Sequence, residues 1–467
     1  MTPDDVDVPT GERVELLSVG VDVGSATCQL ALARVTLERE GIDLSTRYRV
    51  IDTDVLTAER LGFTPYDPSG LIDQAAVAQL FVDALAGHGV DRTQIDTGVV
   101  LLTGEAARRA NAPTLAGALG AVVGDFVCAA AGHAMEGHLA AHGAGAPALS
   151  AELGVPVLNV DIGGGTTKIT LADPAGVRWT YAVHVGGRLA AFDDDGRIVR
   201  LEDAGRRLAA EAGHEWRLGA STTAAERAEV GRHLAEVVVG VLPHGGASAA
   251  DPHLLTPLPS GAPETSRYQL LVSGGVAAFV GSPSDDWTQD LGADLGRALA
   301  EHWKEEGREL RIADATATVL GASQQTVQIS GNTLFLSDAD ALPLRNLRVL
   351  DANDHASLPS AIAEARATSG IALALRLDVP PVAARLRAAA SELAELVRRE
   401  LPDGPVVVVL DRDLALLFGR HLSAVLDDRE VVVLDGVDAQ SYDHLDIGRL
   451  RSDGGVVPVT VKSLLFG

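Results

Sequence analysis

Two short glycine-bounded acidic segments, about 140 residues apart, constrain this chain more than any other feature. The first reads Val19-Gly20-Val21-Asp22-Val23-Gly24-Ser25-Ala26-Thr27. The second reads Asn159-Val160-Asp161-Ile162-Gly163-Gly164-Gly165-Thr166-Thr167. In each, an apolar run that reads as a buried strand delivers an Asp, then Gly, then hydroxyl residues into a tight turn, and a second strand follows. Glycine lets the backbone bend and approach a ligand, while successive N–H groups can ring an anion. A carboxylate at a strand end can hold a hydrated Mg²⁺. A simple hairpin competes with this reading for the first turn. For the second, three glycines between strands weaken the sheet without a ligand to justify them. Together the turns suggest a duplicated phosphate-binding device facing one nucleotide.

Composition narrows the class. At 467 residues the chain has room for roughly two to four domains. Hydrophobic residues make up 46% and aromatics only 4%, so the cores must rest on Ala, Val, Leu and Ile. No apolar run approaches the roughly 18–20 residues that span a bilayer. The most apolar long stretch, 122–149, is broken by Asp125, Glu136 and three histidines. The opening Met1-Thr2-Pro3-Asp4-Asp5 lacks the basic region of a secretory signal, so a cytoplasmic protein is expected. A formal net charge of −26 argues against nucleic acid as a partner, since phosphate backbones are bound through excess Lys and Arg. Cys28 and Cys128 are too few for a zinc cluster and are expected as buried thiols.

Apolar periodicity and turn residues read as an α/β chain. Residues 1–13 are expected as a loose tail. A first lobe, 14–156, opens strand–turn–strand, then has a polar stretch over 52–70, a helix over 71–85 and a strand at Thr97–Leu102. A helix is expected to open near Thr103, and 126–141, rich in small residues, reads as one helix close to another backbone. A second lobe, 157–310, carries the second acidic turn, a charged helix over 220–240, a strand over 268–272 and a helix over 290–305. A mixed α/β region, 311–467, starts with an alternating stretch, 316–329, that reads as a strand pair. It continues as helix 382–401, strand Val406–Leu410, helix 414–426 and strand Val431–Leu434.

With two facing lobes, Asp22 and Asp161 would converge on one Mg²⁺, through water, and on the phosphates of ATP or ADP. Gly24, Ser25, Ala26 and Thr27 would offer N–H and hydroxyl donors from one side. Gly163, Gly164, Gly165, Thr166 and Thr167 would do so from the other. Phosphoryl transfer needs mainly positioning and charge stabilisation, plus one residue to orient water.

The order of these motifs resembles the actin, sugar kinase and Hsp70 ATPase superfamily. That resemblance implies a two-lobed actin-like, ribonuclease H-like ATPase fold, here with an additional C-terminal mixed α/β region. Phosphate 1 matches Asp22 to Thr27 and phosphate 2 matches Asp161 to Thr167. The adenosine-type segment matches Leu271-Val272-Ser273-Gly274-Gly275-Val276, with Ser273, Gly274 and Gly275 against the nucleoside. Gly292-Ala293-Asp294-Leu295-Gly296-Arg297-Ala298 is similar to the second connecting helix. In the Hsp70 branch an acidic residue about 25 positions before the phosphate 2 aspartate orients the attacking water, and Glu136 holds that place. A plain polar helix residue is its competing reading. The phosphate-contacting lysine of Hsp70 has no match, and Lys168 is read either as its substitute or as a solvated strand lysine.

Nearly the whole chain further resembles the ethanolamine ammonia-lyase reactivating (EutA) family. The likeness is carried by Leu102-Thr103-Gly104-Glu105-Ala106-Ala107 with Asn111-Ala112, by Phe126 to Gly132 and by Gly143-Ala144-Gly145-Ala146. The most distinctive segments are Ala317 to Thr333, Asp446-Ile447-Gly448-Arg449-Leu450 and Val456 to Lys462. Ala26 departs from the hydroxyl residue expected at phosphate 1. The resemblance implies an ATP-dependent chaperone for ethanolamine ammonia-lyase, an adenosylcobalamin enzyme, from which it releases damaged cobalamin so that intact cofactor can bind. The implied partner is that lyase with its cobalamin, with no membrane involved. A homo-oligomer and association with an ethanolamine-utilisation microcompartment are both compatible. The chief alternative is a small-molecule kinase of the same superfamily, and a second is a nucleotide-dependent filament.

Three further signals have competing readings. His133, His138 and His142 read as metal ligands or as surface and capping histidines. Asp193-Asp194-Asp195-Gly196 reads as a calcium loop or a solvated hairpin turn. Asp411 and Asp435, at the ends of Val-rich strands, read as a ligand site or as ordinary strand ends.

Overall fold

A computed structural model describes residues 13–39, 48–67, 71–103, 115, 118–119, 122, 127–130, 132–243, 248–259, 267–281, 289–313, 316–325, 327–330, 334–353, 358–365, 370–377, 382–401, 403–437, 439, 444–450 and 457–462. The expected tail up to residue 12, the helix expected after Thr103, and the family-like Asn111-Ala112 and 331–333 lie outside these residues.

The first sheet consists of β1 (Arg13–Val23), β2 (Thr27–Arg39), β3 (Tyr48–Phe63), β4 (Thr97–Leu102) and β5 (Val127–Ala130), in the order β3-β2-β1-β4-β5. The first three strands pair antiparallel, β4 runs parallel to β1, and β5 parallel to β4. The second sheet begins with β6 (Val157–Ile162), β7 (Thr167–Asp173) and β8 (Gly176–Val183). After a small ribbon of β9 (Ala190–Phe192) and β10 (Ile198–Leu201), it is completed by β11 (Gln269–Ser273) and β12 (Leu310–Ile312). Its order, β12-β11-β6-β7-β8, is that of the first sheet read from the other edge, with the same strand directions. The duplication visible in two turns therefore extends to two whole ribonuclease H-like halves.

The local sequence explains most of these elements. β4 and β6 lie inside their sheets, are buried along their whole length and accordingly read as near-continuous apolar runs. The helix Ala224–Gly240 starts at a capping box in which Thr223 and Glu226 satisfy each other's backbone N–H groups. Residues 52–63 read only as part of a polar stretch because β3 is a polar edge strand. Only its long pairing with β2, from Thr27↔Phe63 to Arg39↔Tyr48, makes it a strand.

Residues 327–462 form a third, eight-stranded sheet. Its strands are β13 (Val327–Ser330), β14 (Phe335–Leu336), β15 (Leu344–Asp351), β16 (Gly370–Leu375), β17 (Val406–Leu410), β18 (Val431–Leu434), β19 (His444–Ile447) and β20 (Val457–Lys462). The parallel run β15-β16-β17-β18 has the expected strand–helix alternation, with helices Ala383–Glu400 and Ala415–Val425 on one face. Asp411 and Asp435 are strand-end caps that accept from the amides of Leu377 and Ala415. Asp193 closes a hairpin turn between β9 and β10, accepting from the amides of Asp195 and Arg197.

Two expectations change in the middle of the chain. Residues 126–141 are not one helix: β5 comes first, and the helix is His133–Gly143. Residues 316–329 are not a strand pair: they form the helix Ala317–Gln325 and then β13. This helix, not the one at Gly292–Glu305, is the second connecting element. It packs on His133–Gly143 and on β1, whereas Gly292–Glu305 packs within the second lobe against Ala224–Gly240. The alternation misled because the helix is buried against backbone on more than one side, which leaves no polar face to set a 3.6-residue period.

The crossing of the two connecting helices depends on glycine. A Cβ at Gly143 would stand 1.8 Å from the Ala317 carbonyl oxygen, and one at Gly321 would stand 2.0 Å from that of Leu139. Both obstacles are backbone and cannot move aside. Among the described residues no helix is long and apolar enough to cross a membrane.

Gly143→Ala is therefore expected to destabilise the protein. The helix-propensity gain of about 1 kcal/mol is outweighed by an overpacking cost of about 1–3 kcal/mol or more. Gly240→Ala, at a helix end with open space around it, should be neutral or mildly stabilising. Urea denaturation of both variants checks the contrast. Equal midpoints would mean that the helices do not touch at Gly143.

Candidate nucleotide site

Both acidic turns are built alike. The Gly24 amide donates to the Thr27 carbonyl at 3.0 Å, and the Gly163 amide donates to the Thr166 carbonyl at 3.0 Å. Each aspartate accepts a hydroxyl from the end of the fourth strand of its sheet. Thr103 Oγ1 donates to Asp22 at 2.9 Å and Ser273 Oγ donates to Asp161 at 2.9 Å. The carbonyls of the turns are drawn outward. Thr64 takes those of Gly24 and Ala26, while Tyr66 and Arg200 take that of Ser25. In the second turn the amides of Gly187 and Arg188 take the carbonyls of Gly163 and Gly164. The amides of Ser25, Ala26, Gly164, Gly165 and Thr166 make no backbone hydrogen bond among these turn contacts. Carbonyls withdrawn and amides left over are the pattern that an anion-binding backbone concavity takes.

The turns face each other across a cleft of about 830 Å³, open solvent at its mouth included. They nearly touch at its head, where a Cβ on Gly164 would lie 2.6 Å from the Ala26 methyl. Asp22, Gly24, Ser25, Ala26, Thr27, Glu136, Asp161, Gly163, Gly164, Gly165, Thr166, Gly274 and Gly275 all line this one space. Two expected contacts move off its wall. Thr167 is buried with its hydroxyl on the Val185 carbonyl, and Ser273 sits beneath Asp161 between it and Asn159. Thr167 fails because it opens β7, where side chains alternate faces and this one turns inward. Gly274 adopts φ +85° and packs so closely on Ile162 that a Cβ would meet backbone at 2.6 Å. Glycine is required there by the fold as well as by any ligand.

Charge is concentrated at the head of the cleft. Asp22 is 7% exposed, Asp161 4%, Glu136 1% and Lys168 6%. Lys168 Nζ is ion-paired with Glu136, so neither residue is the solvated surface group of the competing readings. Burial pushes the Asp22 carboxyl up to about 7, opposed by the Thr103 hydrogen bond and reinforced by Glu136 and Asp161. Burial also raises Asp161, against the pull of Lys168 and Ser273. Burial would lower Lys168, but the facing Glu136 and Asp161 carboxylates prevail and raise it. Three buried carboxylates thus share one ammonium. A divalent cation fits this charge deficit, and Asp22 and Asp161 are the residues that would hold it through water.

Sequence reasoning missed several wall residues. Gln29 faces Asp22 across β1 and β2 as Lys168 faces Asp161 across β6 and β7. Carrying the duplication one strand further would have found it. Arg188 follows the readable glycine pair Gly186-Gly187, pairs with Asp290 at 3.3 Å and stacks on Phe63 of the other lobe at 4.0 Å. Arg60, on β3, had no sequence signal. Cys28 is a buried thiol pushed up to about 12 by burial, and the side chain of Cys128 is outside the described residues. The His138 and His142 rings lie 4.6 Å apart, tilted by 42°, and burial together with His138 brings His142 down to about 4.

The raised Asp22 pKa predicts a pH dependence of the metal-free protein. The folded chain holds this proton more tightly than the unfolded chain, whose carboxyl has its usual value of 3.8. The contribution to stability is therefore complete below that value and is lost as pH rises through about 7. Asp22→Asn should flatten stability over this window, as read by denaturant midpoints from pH 4 to 8. An unchanged slope would mean that Asp22 is ionised throughout.

A family model described as ethanolamine utilisation protein EutA matches residues 14–467. The ethanolamine ammonia-lyase reactivase EutA of Salmonella typhimurium is 34% identical over 464 residues, covering 97% of this chain and 99% of the relative. The protein of the same description from Escherichia coli K12 is 34% identical over 466 residues, covering 97% and 99%. Among solved structures, the PPX-GPPA enzyme of Aquifex aeolicus covers 66% of this chain and 99% of its own. Its TM-score is 0.40 at 13% identity, too low to support any conclusion. The match along nearly all of this chain and of both relatives means that the chain belongs to the ethanolamine utilisation protein EutA family.

Proposed function

We propose that this protein is an ATP-dependent reactivating factor for adenosylcobalamin-dependent ethanolamine ammonia-lyase, releasing damaged cobalamin so that intact cofactor can bind. The observation that carries the nucleotide part is the pair of opposed turns whose leftover amides face one cleft with Asp22, Asp161 and Glu136 at its head. The lyase as partner rests on the family and on the description of its members.

In this reading the amides of Ser25, Ala26, Gly164, Gly165 and Thr166 bind the phosphates. The Gly274-Gly275 backbone carries the nucleoside. A Mg²⁺ held through water by Asp22 and Asp161 would neutralise phosphate charge. Glu136 accepts a hydrogen bond from the attacking water and orients it, while burial keeps bulk water from competing. Closure of the cleft swings the lobes about the glycine crossing of the connecting helices. Because Ala317–Gln325 runs almost directly into β13, the third sheet moves with it. Contacts with an open form of the lyase that differ between the two cleft states would then loosen its hold on the corrinoid.

The test is recovery of activity by ethanolamine ammonia-lyase preloaded with a cobalamin lacking its adenosyl group, after addition of this protein, adenosylcobalamin and Mg-ATP. Recovery is expected only with ATP. Failure to recover despite measurable nucleotide binding would refute the reactivase reading, and phosphorylation of an added alcohol or acid would favour a kinase. Asp161→Asn should weaken Mg-nucleotide binding by about tenfold or more. Glu136→Gln should retain binding and slow hydrolysis roughly 100-fold. Normal turnover in the latter would return Glu136 to a structural role.

A further inference from the structure

The two halves share strand order, turn hydrogen bonds and the hydroxyl beneath each aspartate, yet they differ in the residue paired across from each aspartate. Across from Asp22 stands a neutral amide, Gln29, and across from Asp161 stands a cation, Lys168. Both side chains line the cleft. The Lys168 ammonium lies between two sets of groups. On one side it is ion-paired with Glu136, in the first turn of the connecting helix His133–Gly143. On the other it reaches the second phosphate-type turn, 4.0 Å from where a Gly163 side chain would begin. Gly137 makes the room for this: a Cβ there would press on Lys168 Cβ at 3.3 Å and on Thr170 Oγ1 at 2.8 Å.

We propose that Lys168 is the residue that senses the terminal phosphate, covering Glu136 when that phosphate is absent and passing to it when it is present. The proposal rests on the nucleotide-binding reading above. A lysine suits the task because its ammonium is a compact point charge on a flexible four-carbon stem, able to exchange one anion for another a short distance away. With the ammonium on the phosphate, the Glu136 carboxylate is released to hold water. Without it, Glu136 is occupied and cannot act on a bound diphosphate. Hydrolysis and recognition of the triphosphate are thus joined through a single ion pair. The opposing account makes Lys168 only a counter-charge for the buried carboxylates, needed for folding and indifferent to which nucleotide is bound.

Equilibrium binding of a non-hydrolysable ATP analogue and of ADP, both with Mg²⁺, to the full-length protein separates the two accounts. Loss of a charge-assisted phosphate contact corresponds to roughly 10- to 100-fold in affinity. Lys168→Met should weaken the analogue by that factor and change ADP by less than about threefold. Because this variant leaves three buried carboxylates without a cation, the double variant Lys168→Met with Glu136→Gln is measured beside it and should show the same loss of preference for the analogue. Lys168→Arg, which keeps the charge, should restore part of the preference. An analogue-to-ADP affinity ratio in the double variant equal to that of the wild type overturns the role of Lys168. Wild-type protein that binds neither nucleotide fails the nucleotide reading itself, a distinct result.

Discussion

Three buried carboxylates arranged around one lysine ammonium set the terms for the rest of this structure. Asp22 comes from the first sheet, Asp161 from the second and Glu136 from the helix between them, with Lys168 among them. Such a cluster is unfavourable by itself, since burying charge costs several kcal/mol per ion after relaxation. It persists because the surrounding elements are over-determined. Each aspartate is held by a hydroxyl from a neighbouring strand, and the connecting helices cross at backbone contact. The cluster is assembled from both lobes, and its single ammonium is ion-paired with Glu136. The fold supplies rigidity around it through two separate apolar cores, one behind each sheet.

The duplication is structural and its breaking is chemical. Strand order, direction, turn closure and the Asp–hydroxyl hydrogen bond recur in both halves. What differs is what the ligand would meet: Ser25 and Ala26 against Gly164 and Gly165, and Gln29 against Lys168. The cation and the glycine-rich turn belong to the second half, so that half would bear most of the phosphate charge. The first half contributes reach, through β3, whose Arg60 and Phe63 extend to the opposite wall of the cleft.

The third sheet is tied to this site by sequence continuity. The helix Ala317–Gln325 places Thr318 in the cleft wall, packs against His133–Gly143 and β1, and is followed after one residue by β13. The cleft wall is therefore joined to the C-terminal sheet by a short stretch of chain. The strongly acidic character of the chain sets the kind of surface a partner would meet, with a net charge of −26.

Much of this was legible in the sequence wherever chemistry is local. Asp-Val-Gly-Ser and Asp-Ile-Gly-Gly-Gly-Thr-Thr specify strand, turn and strand because glycine and strand-end carboxylates act within a few residues, and the Val-rich runs at Val406–Leu410 and Val431–Leu434 specify buried parallel strands. These elements, the α/β class and the gathering of both turns on one cleft follow from local pattern and from their pairing. Other features are products of contact over long separations. β3 is a strand only because β2 pairs with it, residues 317–325 are a helix whose periodicity is erased by burial on several sides, and Thr167 leaves the cleft because the pleat turns it inward. Lys168 reads identically in sequence whether solvated or buried. Only the tertiary structure, by laying the helix of Glu136 across β7 through the gap at Gly137, decides that its ammonium has a carboxylate for a partner.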